Sequence, residues 1–408
     1  MEDRDHKKLG KELGIFHMDE VVGKGLPLLL PKGATIKREL ERFIVDEEIR
    51  RGYQHVSTPD IARLDLYKKS GHYPYYKDSM YAPIVIDDEE FMLRPMTCPH
   101  HFQLYLAKPH SYRELPMRIA EIAKLYRYEQ SGELMGLQRV RSFCLSDAHI
   151  ICASEEQAVE EMIGALDLIE YANDVLGLEF GKDYTYRLSL GDRNNSEKYF
   201  KDDEGWEKAE GLLREAMKKR GADFVEAKDE AAFYGPKIDV QMKNVNGKED
   251  TAFTVQYDLS SPHKFNLTYI GEDGEEHMCF VVHRSSIGAT ERIMAFLIEK
   301  YAGAFPLWLS PTQVKILPIG EKHFAYAEEI FKSLRTKDIR VELDNSSESL
   351  GKKIANWKKD KAPYALVIGD KEVESNKVTI EHRDTGKLGD STVEDFISKI
   401  RSEILSRE

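Results

Sequence analysis

Apolar positions along the chain follow two periods. In GATIKRELERFIVDEEIRRGYQHVSTPDI, Ile36, Leu40, Phe43 and Ile44 recur at the three-to-four spacing of one helical face. The pattern then switches to a short strand around His55–Ser57 that ends at Pro59. MRIAEIAKLYRYEQ and VRSFCLSDAHIIC read as two antiparallel strands joined by the polar, glycine-bearing loop SGELMGLQR. KIDVQMKN sets Ile238, Val240 and Met242 on one strand face, Asn246–Gly247 supplies a two-residue turn, and TAFTVQYDL resumes the strand, so a hairpin is expected. HRSSIGATERIMAFLIEKYAG gives a strand end followed by a helix stopped at Gly303.

After Pro306 and Pro311 the pattern changes. VKILPI, a helix near 323–336, IRVEL, a helix near 347–361, YALVIGD, KVTIEHR and a final helix near 392–406 alternate as in a small α/β domain. The expected organisation is therefore α+β, with a body over residues 1–306 and a module over residues 307–408.

Composition narrows this picture only modestly. With 408 residues, 41% hydrophobic and 32% charged, the chain has an ordinary globular make-up and room for two or three packed domains. The charged amino terminus MEDRDHKKLGKELGIF lacks the apolar core of a signal peptide, and no run approaches the roughly 18 apolar residues of a membrane span. A cytoplasmic protein without a membrane partner is expected. Four cysteines (Cys98, Cys144, Cys152 and Cys279), none in a CxxC pair, point to reduced thiols or metal ligation rather than a disulfide scaffold. The net charge of -13 argues against a polyanionic partner, but residues 311–408 hold 18 basic and 18 acidic residues, leaving 41 basic and 54 acidic elsewhere. A neutral module can still bind RNA through local patches.

Two constellations carry chemistry. LYRYEQSGELMGLQRVRSF gathers Arg127, Glu129, Arg139 and Arg141 on and around two adjacent strands. Guanidinium forks match phosphate or carboxylate oxygens, and a glutamate beside them can accept from an exocyclic amine; on spacing alone a solvated strand pair with surface ion pairs fits better. RPMTCPHH, SDAHIIC and FVVHRSS hold Cys98, His149 and His283, separated by 51 and 134 residues, which matches no zinc-finger spacing. Read singly, each is better explained as a buried core residue. There is no GxxxxGK[ST] loop and no GxGxxG after a strand, which argues against P-loop and Rossmann nucleotide enzymes.

Together, in order and spacing, these blocks resemble the class II aminoacyl-tRNA synthetases, and among them the threonyl members. The likeness runs from about Asp5 over nearly the whole chain. The helix and strand ending at Pro59 look like the first signature motif, Arg127-Tyr128-Glu129 with its loop and Arg139 like the second, and GATERI with Arg292 like the third. The resemblance implies the family's antiparallel-sheet catalytic domain followed by a small anticodon-binding domain. It implies that Arg127 bridges the amino-acid carboxylate and the ATP α-phosphate, that Glu129 holds the adenine amine, that Phe143 and Arg292 sandwich the adenine, and that Arg139 reaches the γ-phosphate. Mg²⁺ would accompany ATP. Cys98, His149 and His283 match the threonyl members' three ligands for one Zn²⁺ per subunit.

Zinc there would answer a selectivity problem, since valine is nearly isosteric with threonine and lacks the hydroxyl that can join the amino group on the metal. Asp147 would accept from that hydroxyl. Serine keeps both groups, so its rejection rests on one methyl, worth about 1–3 kcal/mol. The resemblance further assigns Tyr234, Gln256 and Met96 to the substrate site, Lys237 to anionic groups there, His72 to proton transfer near the terminal ribose of tRNA(Thr), and Glu372 to anticodon reading. Read alone, His72 fits a surface histidine better. A homodimer is implied through the first-motif helix and Pro59.

Leu145, Ala289 and Glu381 depart from the family pattern, where glutamine, serine and arginine are expected, which bears on substrate contacts and anticodon reading. Longer members begin with a ubiquitin-like domain and a proofreading domain, and neither is found before Asp5; the resemblance is to a short form without the editing domain.

Overall fold

The computed structural model describes residues 4–195 and 197–407. Its contacts divide the chain into two compact units: one of residues up to His17, Leu28–Leu40 and Phe296 onward, the other of Met18–Pro27 and Glu41–Ala295. The first-motif helix is α1 (Pro31–Arg50), and Ile36, Leu40, Phe43 and Ile44 are all buried, as their spacing requires.

The larger unit is organised by an eight-stranded sheet. In chain order its strands are β1 (Gln54–His55), β2 (Met117–Tyr126), β3 (Ser142–Cys152), β4 (Tyr184–Leu190), β5 (Phe224–Lys228), β6 (Lys237–Lys243), β7 (Glu249–Asp258) and β8 (Phe280–Ala289). They lie in the order β5-β4-β6-β7-β8-β3-β2-β1, antiparallel except for β5 with β4 and β1 with β2. The expected strand MRIAEIAKLYRYEQ stops at Tyr126, where the ladder with β3 ends at Ser142, so Arg127 and Glu129 leave the sheet at its end.

Along β3 and β8, Ala148, Ile150 and Val282 are fully buried and alternate with His149 and His283, which therefore face the other side. Helix α2 (Cys98–Tyr105) begins with Cys98 followed by Pro99, a residue tolerated in the first turn because its missing N–H has no helical partner there. Helix α3 (Glu155–Val175), whose first turn is capped by the Ser154 hydroxyl accepting from the Gln157 amide, buries Ala158, Met162, Ala165, Leu166, Ile169 and Ala172 and packs against β8, β7 and β3. Helix α4 (Asp203–Arg220) lies on α3.

The hairpin of β6 and β7 forms, but its turn differs from the expected two-residue type. Asn244 and Lys248 still pair, leaving residues 245–247 as a three-residue loop with Gly247 at φ 76°. The Asn244 side chain decides this, since its Oδ1 accepts the amides of Asn246 and Lys248 at 3.0 Å each.

Helix α5 (Thr290–Tyr301), which begins in the larger unit and belongs to the other from Phe296 on, ends before Gly303, which takes φ 79°. A five-stranded sheet follows: β9 (Val314–Pro318), β10 (Val341–Leu343), β11 (Tyr364–Ile368), β12 (Val378–His382) and β13 (Gly386–Ser391), in the order β10-β9-β11-β12-β13. Helices α6 (Phe324–Arg335), α7 (Leu350–Asp360), α8 (Asp370–Ser375) and α9 (Val393–Ser406) complete it. Val314, Ile316, Ile330, Leu366, Val378 and Phe396 belong to its core. Among the described residues no helix is long and apolar enough to cross a membrane.

Candidate active site

The β3–β8 register sets His149 opposite His283 and Asp147 opposite Ser285. The two imidazoles meet edge to face with centroids 4.5 Å apart, and Cys98 completes the set: its Sγ and one nitrogen of each histidine lie within 4.8 Å of one another. All three are buried. Burial pushes the Cys98 thiol up and the His149 imidazole well down from their ordinary values.

One nitrogen of each ring is engaged by a neighbour beyond these three residues. His283 Nε2 lies 2.7 Å from Asp258 Oδ2, and His149 Nδ1 lies 2.8 Å from His101 Nδ1. Asp258 stays below the ordinary carboxylate value although burial raises it, because His283 and the Ser261 amide hydrogen-bond to it. Imidazoles oriented by outer partners, with a thiol as third donor, fit a zinc ion that keeps a coordination position for substrate.

These three residues line one wall of a cavity of ≈ 320 Å³. Beside them, Met96, Asp147, Tyr234 and Gln256 line it as well. Tyr234 stacks on His283 with centroids 5.1 Å apart and donates its hydroxyl to Gln256 Oε1, while Gln256 Nε2 donates to Thr254 Oγ1 at 2.8 Å.

Farther along the same cavity are Arg127, Glu129, Arg139, Phe143 and Arg292. Arg127 lies over the Phe143 ring at 5.2 Å and donates from Nε to the Pro95 carbonyl at 3.3 Å. Arg292 is held by the carbonyls of Gln138, 2.9 Å from Nε, and Thr251. Arg139 pairs loosely with Glu129 at 3.6 Å. Burial lowers the Arg292 pKa; Asp250 opposes this, and Arg127 and Arg139 add to the lowering. An anion entering between these guanidinium groups would relieve that repulsion. One cavity thus joins an end lined by guanidinium groups to a soft, metal-competent end.

Residues 81–301, more than half of the chain, match the family described as tRNA synthetase class II core domain (G, H, P, S and T), and residues 313–403 match the anticodon binding domain. The chain belongs to the class II tRNA synthetases. A threonine--tRNA ligase of Clostridium perfringens (strain SM101 / Type A) is 49% identical over 99% of this chain, and one of Geobacillus sp. (strain WCH70) is 49% identical over 98%. The chain spans 63% and 62% of the length of those relatives. Among solved structures, the RNA binding domain of threonyl-tRNA synthetase from Cryptosporidium parvum Iowa II superposes with a TM-score of 0.92 at 35% identity, covering 98% of each chain.

Three residues singled out from the synthetase resemblance lie outside the cavity lining. His72 is buried, not on the surface, with Nδ1 2.7 Å from Ser70 Oγ and Nε2 3.7 Å from Cys98 Sγ. Burial, followed by the nearby His283, drives its pKa down to about 3. Lys237 Nζ is taken by Asp239 at 2.9 and 3.0 Å. Glu372 is buried at the start of α8, with Oε2 accepting the Gly369 amide at 2.9 Å and Oε1 the Thr379 hydroxyl at 2.7 Å. Of the departures, Leu145 and Ala289 face each other across the ladder, line the cavity and pack against the cluster of Ala123, Leu125, Val140 and Phe143.

Sequence reasoning missed His101, Glu121, Asp258 and Ser285. His101 lies three residues after Cys98, on the same side of α2, and Asp258 two after Gln256 on the same face of β7. Those spacings were the available signals.

Proposed function

We propose that the chain activates threonine with ATP, releasing pyrophosphate and forming threonyl-adenylate, and then transfers threonine to the 3′ end of tRNA(Thr). The observation that carries this reading is the shared lining of one cavity by Arg127, Glu129, Arg139 and Arg292 on one side and Cys98, His149 and His283 on the other. In the first step a carboxylate oxygen attacks the α-phosphorus in line while the bond to pyrophosphate breaks, so the protein's work is charge neutralisation and alignment. Arg127 would bridge the carboxylate and the α-phosphate, Arg139 would meet the γ-phosphate, and Glu129 would accept from the adenine amine. Phe143 and Arg292 would flank the ring, and Mg²⁺ would travel with ATP.

Cys98, His149 and His283 would hold one Zn²⁺, which when bound supplies a Lewis-acid site able to recognise an amine and a vicinal hydroxyl together. Asp147 would accept from the substrate hydroxyl, and Tyr234 and Gln256, tied to each other, would close the pocket around it. Met96 would bound it on the cysteine side. For His72 and Lys237 a part in the reaction requires release from Ser70 and Asp239, and Glu372 would have to give up a bond to Gly369 or Thr379 to read a base.

The catalytic part is read as residues 1–306 and the anticodon-reading part as 307–408, acting as a cytoplasmic homodimer through the segment around Pro59; a monomer at micromolar concentration in light scattering overturns the dimer. The central test is threonine-dependent exchange of pyrophosphate into ATP. Exchange with threonine, weak exchange with serine and almost none with valine is expected, whereas exchange driven by another amino acid overturns the reading.

A further inference from the structure

We propose that His101 and Glu121 are positioning residues of the metal centre, fixing the tautomer and ring plane of His149 through an imidazole-to-imidazole hydrogen bond. The inference rests on the zinc reading proposed above and extends it to residues no motif assigns.

The proton positions can be worked out from either end. Glu121 Oε2 accepts from the Thr58 hydroxyl at 2.7 Å and lies 3.2 Å from His101 Nε2, while Oε1 lies 3.1 Å from Arg94 Nη2. An ionised carboxylate only accepts, so His101 Nε2 donates to it; in the neutral tautomer that we assign to His101 this leaves Nδ1 bare. Its partner, His149 Nδ1 at 2.8 Å, is then the donor, and His149 Nε2 is left with a free lone pair. Starting from the metal gives the same assignment. If His149 ligates through Nε2, its proton sits on Nδ1, His101 must accept it, and His101 must donate to Glu121.

The two histidine ligands are therefore backed differently. His283 meets a carboxylate directly, at Asp258. His149 reaches one through a second ring that is 0% exposed and meets it edge to face with centroids 4.8 Å apart. That second ring ties the ligand to the Thr58–Arg94–Glu121 cluster, in which Arg94 also donates to the Lys124 carbonyl at 2.7 Å. Outer partners that orient a ligating histidine commonly change metal affinity by about 10–100-fold when removed.

Three variants separate this role from packing. His101→Phe keeps a flat ring but cannot accept from His149; His101→Asn retains an acceptor near the original Nδ1; Glu121→Gln keeps the shape and removes the charge. Zinc affinity is measured on the full-length protein by competition with a chromophoric chelator, and cobalt(II) replaces zinc so that its visible absorption reports ligand geometry. Zinc binding about 10–100-fold weaker in His101→Phe is expected, with a changed cobalt band, while His101→Asn, which keeps an acceptor for His149 but not the bond to Glu121, binds zinc more tightly than His101→Phe, no weaker than Glu121→Gln, and keeps its band. Should His101→Phe fail to fold, as read by circular dichroism of the apoprotein, Glu121→Gln decides, with zinc binding about tenfold weaker expected.

Unchanged zinc affinity and cobalt spectrum in His101→Phe, or in Glu121→Gln where that variant decides, overturns the proposal while leaving the metal site standing. An Asn variant no better than Phe overturns the acceptor assignment. If the unsubstituted protein binds zinc no more tightly than Cys98→Ala, the metal reading itself falls and takes this inference with it.

Discussion

Asp258 divides its carboxylate between two tasks: Oδ2 meets His283 Nε2 at 2.7 Å, and Oδ1 accepts the amides of Ser260 and Ser261 at 2.8 Å each. Asp258→Asn can satisfy only one of them. If its carbonyl oxygen keeps His283, its NH₂ faces two backbone donors, and if it turns, the imidazole loses its acceptor. The expected cost is about 1–3 kcal/mol of folding stability, from a buried unsatisfied group, and zinc binding weakened about tenfold or more. Denaturant unfolding and chelator competition on one preparation measure the two effects.

At the other end of the cavity, Arg292 is held by the Gln138 and Thr251 carbonyls, which orient its guanidinium plane. Arg292→Lys preserves the charge and loses the plane and one of the two anchors. In the pyrophosphate-exchange assay kcat/KM for ATP should fall about 100-fold, or about 3 kcal/mol, while KM for threonine changes by less than about threefold. An equal rise in both KM values would contradict the assigned division of the cavity.

Zinc removal should act on the opposite substrate. Dialysis against a chelator is expected to abolish threonine-dependent exchange and leave ATP binding, followed by equilibrium dialysis, within about twofold, because Arg127 and Arg292 are held by protein carbonyls and a ring contact and Arg139 by Glu129 and Glu133. Restored zinc should restore exchange, and exchange that survives removal would contradict the recognition role.

How far the sequence reached depended on whether a residue's partners lay near it in the chain. The helical face of Ile36, Leu40, Phe43 and Ile44, and most strands of both sheets, follow from local periodicity. Strand β13, GKLGDS, carries no apolar alternation and exists because β12 offers it an edge, so nothing local announced it. On β6 the alternation named Ile238, Val240 and Met242 as the buried face, yet Asp239 is 0% exposed on the opposite face, where Arg187, Ser189 and Lys237 bind it. Such a buried carboxylate depends on partners up to 52 residues away, which no periodicity can show. The same limit separates Cys98, His149 and His283 from the residues that back them. Cys98, His149 and His283 could be found as a set by family likeness, whereas His101, Glu121 and Asp258 gain meaning only from pairwise distances across strands.

Glu121 also sets a pH dependence. Burial alone would raise its pKa, but hydrogen bonds from His101 and Thr58 and the charge of Arg94 bring it down to about 2 from 4.5. A folded-state value below the unfolded one stabilises the protein fully above pH ~4.5, and that stabilisation is lost as pH falls through ~2. The size is about 3 kcal/mol at most. Unfolding free energies at pH 6 and pH 3 should therefore differ more in the unsubstituted protein than in Glu121→Gln, which has no proton to take up. Parallel losses in the two proteins would remove Glu121 from the acid-sensitive groups.

Gly235 gives the last test, because it links a backbone contact to substrate choice. A Cβ built there would sit 1.8 Å from the Tyr257 carbonyl oxygen, closer than any contact tolerates, and the obstacle is backbone rather than a side chain that can swing away. The Tyr257 amide in turn donates to Pro236 and the Leu259 amide to Tyr234, so the segment from Tyr234 to Pro236 is stitched to β7 and its end. Gly235→Ala must push this segment outward, and Tyr234 moves with it, away from the His283 ring and from Gln256. The pocket should loosen at the end lined by Cys98, His149 and His283 while Arg127, Arg139 and Arg292, on other segments, keep their positions. The expected result is a threonine KM raised about tenfold or more with the ATP KM changed by less than about threefold, and a smaller ratio of threonine to serine exchange. Circular dichroism and thermal unfolding distinguish this from global misfolding, and an unchanged threonine KM in a folded variant would show that Tyr234 does not shape the pocket.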